Sequence, residues 1–219
     1  MCPFFRRKKE PETIEECHSE ARKHIAKLIK SSSNKDLENA LLYLNKGVQL
    51  DPTVIETYEM MGTVLKAVKR HNEALEVYIE ALSHVHDKVR IMRSIIMNLL
   101  DAEETLDEAL EWANRALEID PQNLKVINLK AVCKHKKGLR AEALQTVDLA
   151  LQIDPNDIYN LNLKGTLLMS DRKWEEAKKV EEKFLALLKP RDQYYEEMRS
   201  QSLKKIELIN AMIAKESKN

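Results

Sequence analysis

Glycine is scarce in this chain, with only 4 among 219 residues where an average share would be ~7%. Aromatic residues are also few: 3 Phe, 2 Trp and 6 Tyr. Both shortages disfavour all-β folds, whose tight turns need glycine and whose strands favour aromatic side chains. An excess of one charge is lacking too, because Lys plus Arg and Asp plus Glu each total 36. With zero net charge, no global field draws the chain toward nucleic acid or an anionic membrane. Cys2, Cys17 and Cys133 are odd in number and scattered, without Cys-x-x-Cys spacing. That usage fits a reducing cytoplasm better than a disulfide framework. The apolar runs, such as Phe184 to Leu188, fall far below the roughly 20 residues that cross a bilayer. What remains is 43% apolar and 33% charged, enough to build the core of one domain or two small ones.

Catalytic motifs are missing as well: there is no glycine-rich phosphate loop, no His-Glu-x-x-His and no Gly-x-Ser-x-Gly. The expectation is a protein that is not an enzyme, with no cofactor and no metal. His84 with His86, and Cys17 and His18 with His24, are the nearest approach to a ligand set. Neither has the spacing of a known site, and histidines at helix ends are the plainer reading. Cys133 reads as a small buried hydrophobe rather than a reactive thiol.

What is present is a repeat. Ala40, Ala74, Ala109, Ala143 and Ala177 are separated by 34, 35, 34 and 34 residues, and Pro52, Pro121, Pro155 and Pro190 each follow one of them by 12 or 13. In the Ala74 copy His86 takes the proline slot. The residues around each alanine, such as Ala109, Leu110, Ala113, Ala116 and Leu117, place one apolar stripe on a helix. An earlier helix, marked by Tyr58, Met61, Gly62 and Leu65, joins it through a polar turn such as Lys69 to Asn72. Gly62, Ala131 and Gly165 recur at one slot of the first helix, where a small residue permits close packing. The Asp-Pro pairs at 51–52, 120–121 and 154–155 end one unit and begin the next.

This pattern resembles the tetratricopeptide repeat family, with a small residue at the eighth position of each unit, Ala at the twentieth, a small residue at the twenty-seventh and Pro at the thirty-second. The resemblance implies an all-α, right-handed superhelix of about five helix pairs at residues 21–191. The units run 21–54, 55–88, 90–123, 124–157 and 158–191. Residues 1–20 are expected to hold an N-terminal tail and the start of the first helix. Residues 192–219 are expected to hold a capping helix, covering a last unit that would otherwise expose its apolar face.

The family resemblance further implies a concave groove lined by first helices that binds a peptide or helix of a partner protein. Its register points to Glu59, Thr63, Ser94, Asn98, Lys125, Asn128, His135, Tyr159 and Asn162 as lining residues. Asn128 and Asn162 are one unit apart, and an amide can both donate to and accept from a peptide backbone. The plainer alternative is that these asparagines are solvated residues on an exposed face. The family's clamp for a chaperone C-terminal carboxylate is disfavoured, because only one of its five slots is matched across the second to fourth units or the third to fifth. The expected role is a cytoplasmic, non-enzymatic scaffold with a protein or peptide partner and no nucleic acid. A membrane-proximal assembly factor that uses Phe4, Phe5 and Arg6 to Lys9 is the alternative. Membrane contact through four basic residues would be marginal.

Overall fold

A computed structural model of the chain describes residues 11–31, 33–101, 103–190 and 194–217. The proposed lipid-facing residues Phe4, Phe5 and Arg6 to Lys9 lie outside them. Among the described residues there are eleven α-helices and no strand, which bears out the all-α class and the arrangement in repeating helix pairs. The chain divides into two compact units, one ending at Asn98 and one beginning at Leu99.

The first unit contains α1 (Ile14–Ser31), α2 (Asn34–Leu50), α3 (Ile55–Ala67), α4 (His71–Ala81) and nearly all of α5 (Lys88–Leu99). α1 packs on α2, α2 on α3 and α3 on α4. Its core joins Ala21, Leu44 and Met61 in one cluster and Leu28, Leu37 and Val64 in a second. α1 begins at Ile14, ahead of the unit start expected at residue 21.

The second unit follows a 3₁₀ turn (Glu103–Thr105) with α6 (Leu106–Ile119), α7 (Leu124–Lys136), α8 (Arg140–Ile153), α9 (Ile158–Ser170), α10 (Trp174–Leu187) and α11 (Tyr195–Glu216). Neighbours in sequence pack on one another from α6 to α11, and the first helices α7 and α9 also touch. α11 closes the end as expected: Ile209 is fully buried against Leu168 and Ala177, while Tyr195 and Met198 pack on Leu161, Phe184 and Leu188.

The repeating alanines Ala40, Ala74, Ala109, Ala143 and Ala177 are all fully buried. The small slot of the first helix has a more particular cause than close backbone approach alone. A Cβ on Gly62 would collide with the Tyr78 ring, and one on Gly165 would collide with the Glu181 carboxylate. The turn between paired helices also repeats, with left-handed backbone at Lys69 (φ 62°), Gly138 (φ 79°) and Arg172 (φ 58°). The Asp-Pro boundaries end α2, α6 and α8, and the aspartates stitch the turn that follows. Thr53 N–H donates to Asp51 Oδ1 over 2.8 Å, and Asn156 N–H donates to Asp154 Oδ1 over 2.8 Å. Asn123 and Asp157 then cap α7 and α9 by accepting from Val126 N and Asn160 N.

Candidate partner-binding surface

In the first unit the expected lining residues are engaged by other residues of that unit. Glu59 is half-buried and takes a two-point ion pair from Arg90, with Nε at 2.8 Å from Oε1 and Nη2 at 2.5 Å from Oε2. The same guanidinium reaches Glu56 at 3.0 Å. These carboxylates hold the Arg90 guanidinium far above its usual pKa, through Glu59 first and then Glu56. Arg90 is a surface residue that sequence reasoning missed; its signal was its position one unit beyond Glu56. Thr63 is exposed and hydrogen-bonds the Tyr78 hydroxyl, whose pKa burial pushes up to about 12.

α5 is turned differently from the expectation. Ile91, Ile95 and Ile96 are fully buried, and burying that apolar face turns Met97, at 49% exposure, toward solvent in place of Asn98. Asn98, expected on the groove surface, is therefore 4% exposed. Its Nδ2 donates to the His71 carbonyl over 2.9 Å, and its Oδ1 lies 3.3 Å from His71 Nδ1. Ser94 is half-buried and donates to the Arg90 carbonyl.

The second unit keeps its expected residues nearer the surface. Lys125 and Tyr159 are exposed, while Asn128, His135 and Asn162 are half-buried. Asn128 Nδ2 donates to Asn160 Oδ1 over 3.2 Å. Asn160 is fully buried and also bonds Asp157, which makes it an anchor between α7 and α9. Asn162 Oδ1 accepts from Lys205 Nζ over 2.7 Å. One end of each carboxamide is thus engaged, and Asn128 Oδ1 and Asn162 Nδ2 keep no partner among the described residues. The buried Nδ1 of His135 also lacks a partner there. Lys205 belongs to the same surface; no register argument pointed to it, because it comes from the capping helix.

The sulfur and imidazole groups do not converge. Among the described residues no three His, Cys, Asp or Glu side chains are placed to hold a metal ion. His18 Nε2 lies 2.8 Å from Thr57 Oγ1, and His24 Nδ1 lies 2.8 Å from Asp36 Oδ1 while its ring stacks on Tyr43. Cys17 and Cys133 are fully buried, and burial pushes the Cys133 thiol up to about 11, so its thiolate is disfavoured. No helix among the described residues is long and apolar enough to cross a membrane.

Paired helices, a small residue under a larger one, and a buried alanine every 34 or 35 residues define a helical-repeat protein. Residues 102–167 match the family model for the tetratricopeptide repeat. Over most of its length the chain has the fold of solved tetratricopeptide-repeat structures. PilW, described as a widely conserved type IV pilus biogenesis factor, is similar over 91% of this chain and 93% of its own, with TM-score 0.61 and 15% identity. PilF of Pseudomonas aeruginosa is similar over 92% of this chain and 89% of its own, with TM-score 0.59 and 16% identity. YrrB, described as a TPR protein with an unusual peptide-binding site, is similar over 87% of this chain and 95% of its own, with TM-score 0.53 and 21% identity. None of the curated proteins searched matches the sequence.

Proposed function

We propose that the chain is a non-enzymatic scaffold of the cytoplasm that binds a peptide or helix of a partner protein along α7, α9 and α11. The observation that carries this reading is the pair of half-used carboxamides on adjacent first helices. Asn162 retains a donor for a ligand carbonyl and Asn128 an acceptor for a ligand amide. Such a pair reads main chain and is tolerant of ligand sequence. Tyr159, 48% exposed beside them, offers a flat apolar surface for a side chain. The peptide-binding site ascribed to YrrB favours the same class of ligand. The scattered, buried thiols agree with a reducing compartment.

The test begins with a photo-reactive residue at Val132, which the register puts on the same surface, and in a second sample at the exposed Leu149 of α8. The partner cross-linked from position 132 is identified by mass spectrometry and titrated against the intact chain. The double variant Asn128→Ala with Asn162→Ala is expected to weaken that binding roughly five-fold to a hundred-fold, two neutral hydrogen bonds' worth. Equal cross-linking from both positions, or full affinity in the double variant, would remove the groove from consideration.

A further inference from the structure

A second surface lies in the first unit, on helices other than those that carry these asparagines. α2, α3 and α4 line an open cleft of about 260 Å³. Leu41, Met61 and Val77 form its apolar side and belong to the core cluster beneath it. Its polar side carries Asn45 and three carboxylates of α4: Glu73, Glu76 and Glu80.

The three carboxylates are not equivalent. Glu73 is taken by Arg70 in a two-point ion pair, which holds its carboxyl below the usual range. Glu76 and Glu80 sit four residues apart on one face of α4, and no cation among the described residues neutralises them. Nearby, Tyr58 lies one turn before Met61 on the same face of α3 and is 1% exposed. Its hydroxyl is without a partner among the described residues. Burial first, and the Glu80 charge next, push that phenol up.

An apolar floor bordered by two unneutralised carboxylates complements a side chain with an aliphatic stem and a cationic head. Arginine fits better than lysine, because its planar fork of five donors can meet two carboxylates and the Asn45 carbonyl together. We propose that this cleft docks a basic, apolar-flanked segment of a partner protein, with one arginine stem on Leu41, Met61 and Val77 and its guanidinium between Glu76 and Glu80. Nucleic acid and anionic lipid are repelled by the same carboxylates. The proposal is independent of the asparagine surface.

The experiment is fluorescence anisotropy of a fluorescein-labelled peptide of alternating leucine and arginine against the full chain, with helicity followed by circular dichroism. Saturable binding is expected, falling at least about tenfold in Glu76→Gln with Glu80→Gln as charge-assisted hydrogen bonds are lost. The exposed control Glu118→Gln with Glu182→Gln is expected to leave affinity unchanged. Absence of saturable binding overturns the proposal, and so does an equal loss in both double variants, which would mean general charge attraction. A loss in Asn128→Ala with Asn162→Ala but not in the cleft variant assigns the peptide to the other surface and overturns it. Tighter binding at the cleft by a peptide copying residues 1–10 would make the chain's own tail the occupant, which overturns the assignment to a partner.

Discussion

The ammonium of Lys205 on α11 donates to the carboxamide oxygen of Asn162 on α9 over 2.7 Å. The same ammonium lies 2.8 Å from Glu181 Oε1, whose residue is fully buried and accepts a second bond from Ser202 Oγ at 2.5 Å. One cation of the capping helix therefore serves both a candidate binding residue and a buried carboxylate.

Lys205→Met should accordingly destabilise the second unit by about 3 kcal/mol, because it leaves the Glu181 carboxylate buried without its counter-ion. Adding Glu181→Gln should recover most of that loss, since the residual amide carries no charge. Urea unfolding at neutral pH measures both. A single variant as stable as the parent would show that water replaces the ammonium at no cost.

The left-handed turns make a prediction of opposite sign. Lys69 and Arg172 adopt φ values that cost a residue with a Cβ roughly 1 to 2 kcal/mol. Glycine removes this strain while costing about 0.4 to 1 kcal/mol through the freer unfolded chain. Lys69→Gly and Arg172→Gly should each raise stability by about 0.5 kcal/mol, and Gly138→Ala should lower it by ~1 kcal/mol. Melting curves that move in the other direction would contradict this account of the turns.

Acid sensitivity should arise at His18, which is 7% exposed. Burial first and Arg22 second hold its pKa below the usual histidine value, against a smaller opposing effect of Glu56. A depressed folded-state pKa contributes stability that is complete above the unfolded value of ~6.5 and is lost as pH falls through the folded value. Unfolding free energy should therefore decline below about pH 6.5, and His18→Gln, which keeps a hydrogen bond for Thr57 within reach, should flatten the decline. Parallel pH profiles for the two proteins would remove His18 as the cause.

Ala143, fully buried among Ala131, Val147 and Leu167, has no room for a longer side chain. Ala143→Leu should cost ~1 to 3 kcal/mol by overpacking. A thermal midpoint equal to that of the parent would place this alanine outside the helix crossing.

Much of the fold was legible because spacing carries it. The five alanines and four prolines mark where helices pack and end, and each of those alanines is buried as the period requires. α5 was less legible: its isoleucines at 91, 95 and 96 turn Asn98 inward, an outcome that depends on three-dimensional packing more than on repeat number. The binding surface was legible as a set of positions but not as a network. Asn128 and Asn162 could be placed by counting. Their bonds to Asn160 and Lys205 could not be foreseen, since Lys205 comes from a helix outside the repeat register. Arg90 was hidden for a related reason, because its importance arises from two glutamates of the preceding 34-residue repeat.

The small residue of α3, α7 and α9 and the larger one packed on it bear on how such a chain can be rearranged in evolution. Gly62 lies under Tyr78 and Gly165 under Glu181, and Ala131 shares a buried cluster with Val147. In all three cases the pair is sixteen residues apart within one unit. A genetic crossover at a proline boundary transfers both members together and preserves their fit. A crossover in the turn between paired helices would set Ala131 beneath Tyr78, or Gly62 beneath Val147, giving a clash in one product and a void in the other. Whole units are consequently the smallest pieces of this sequence that can be duplicated or exchanged without a compensating substitution.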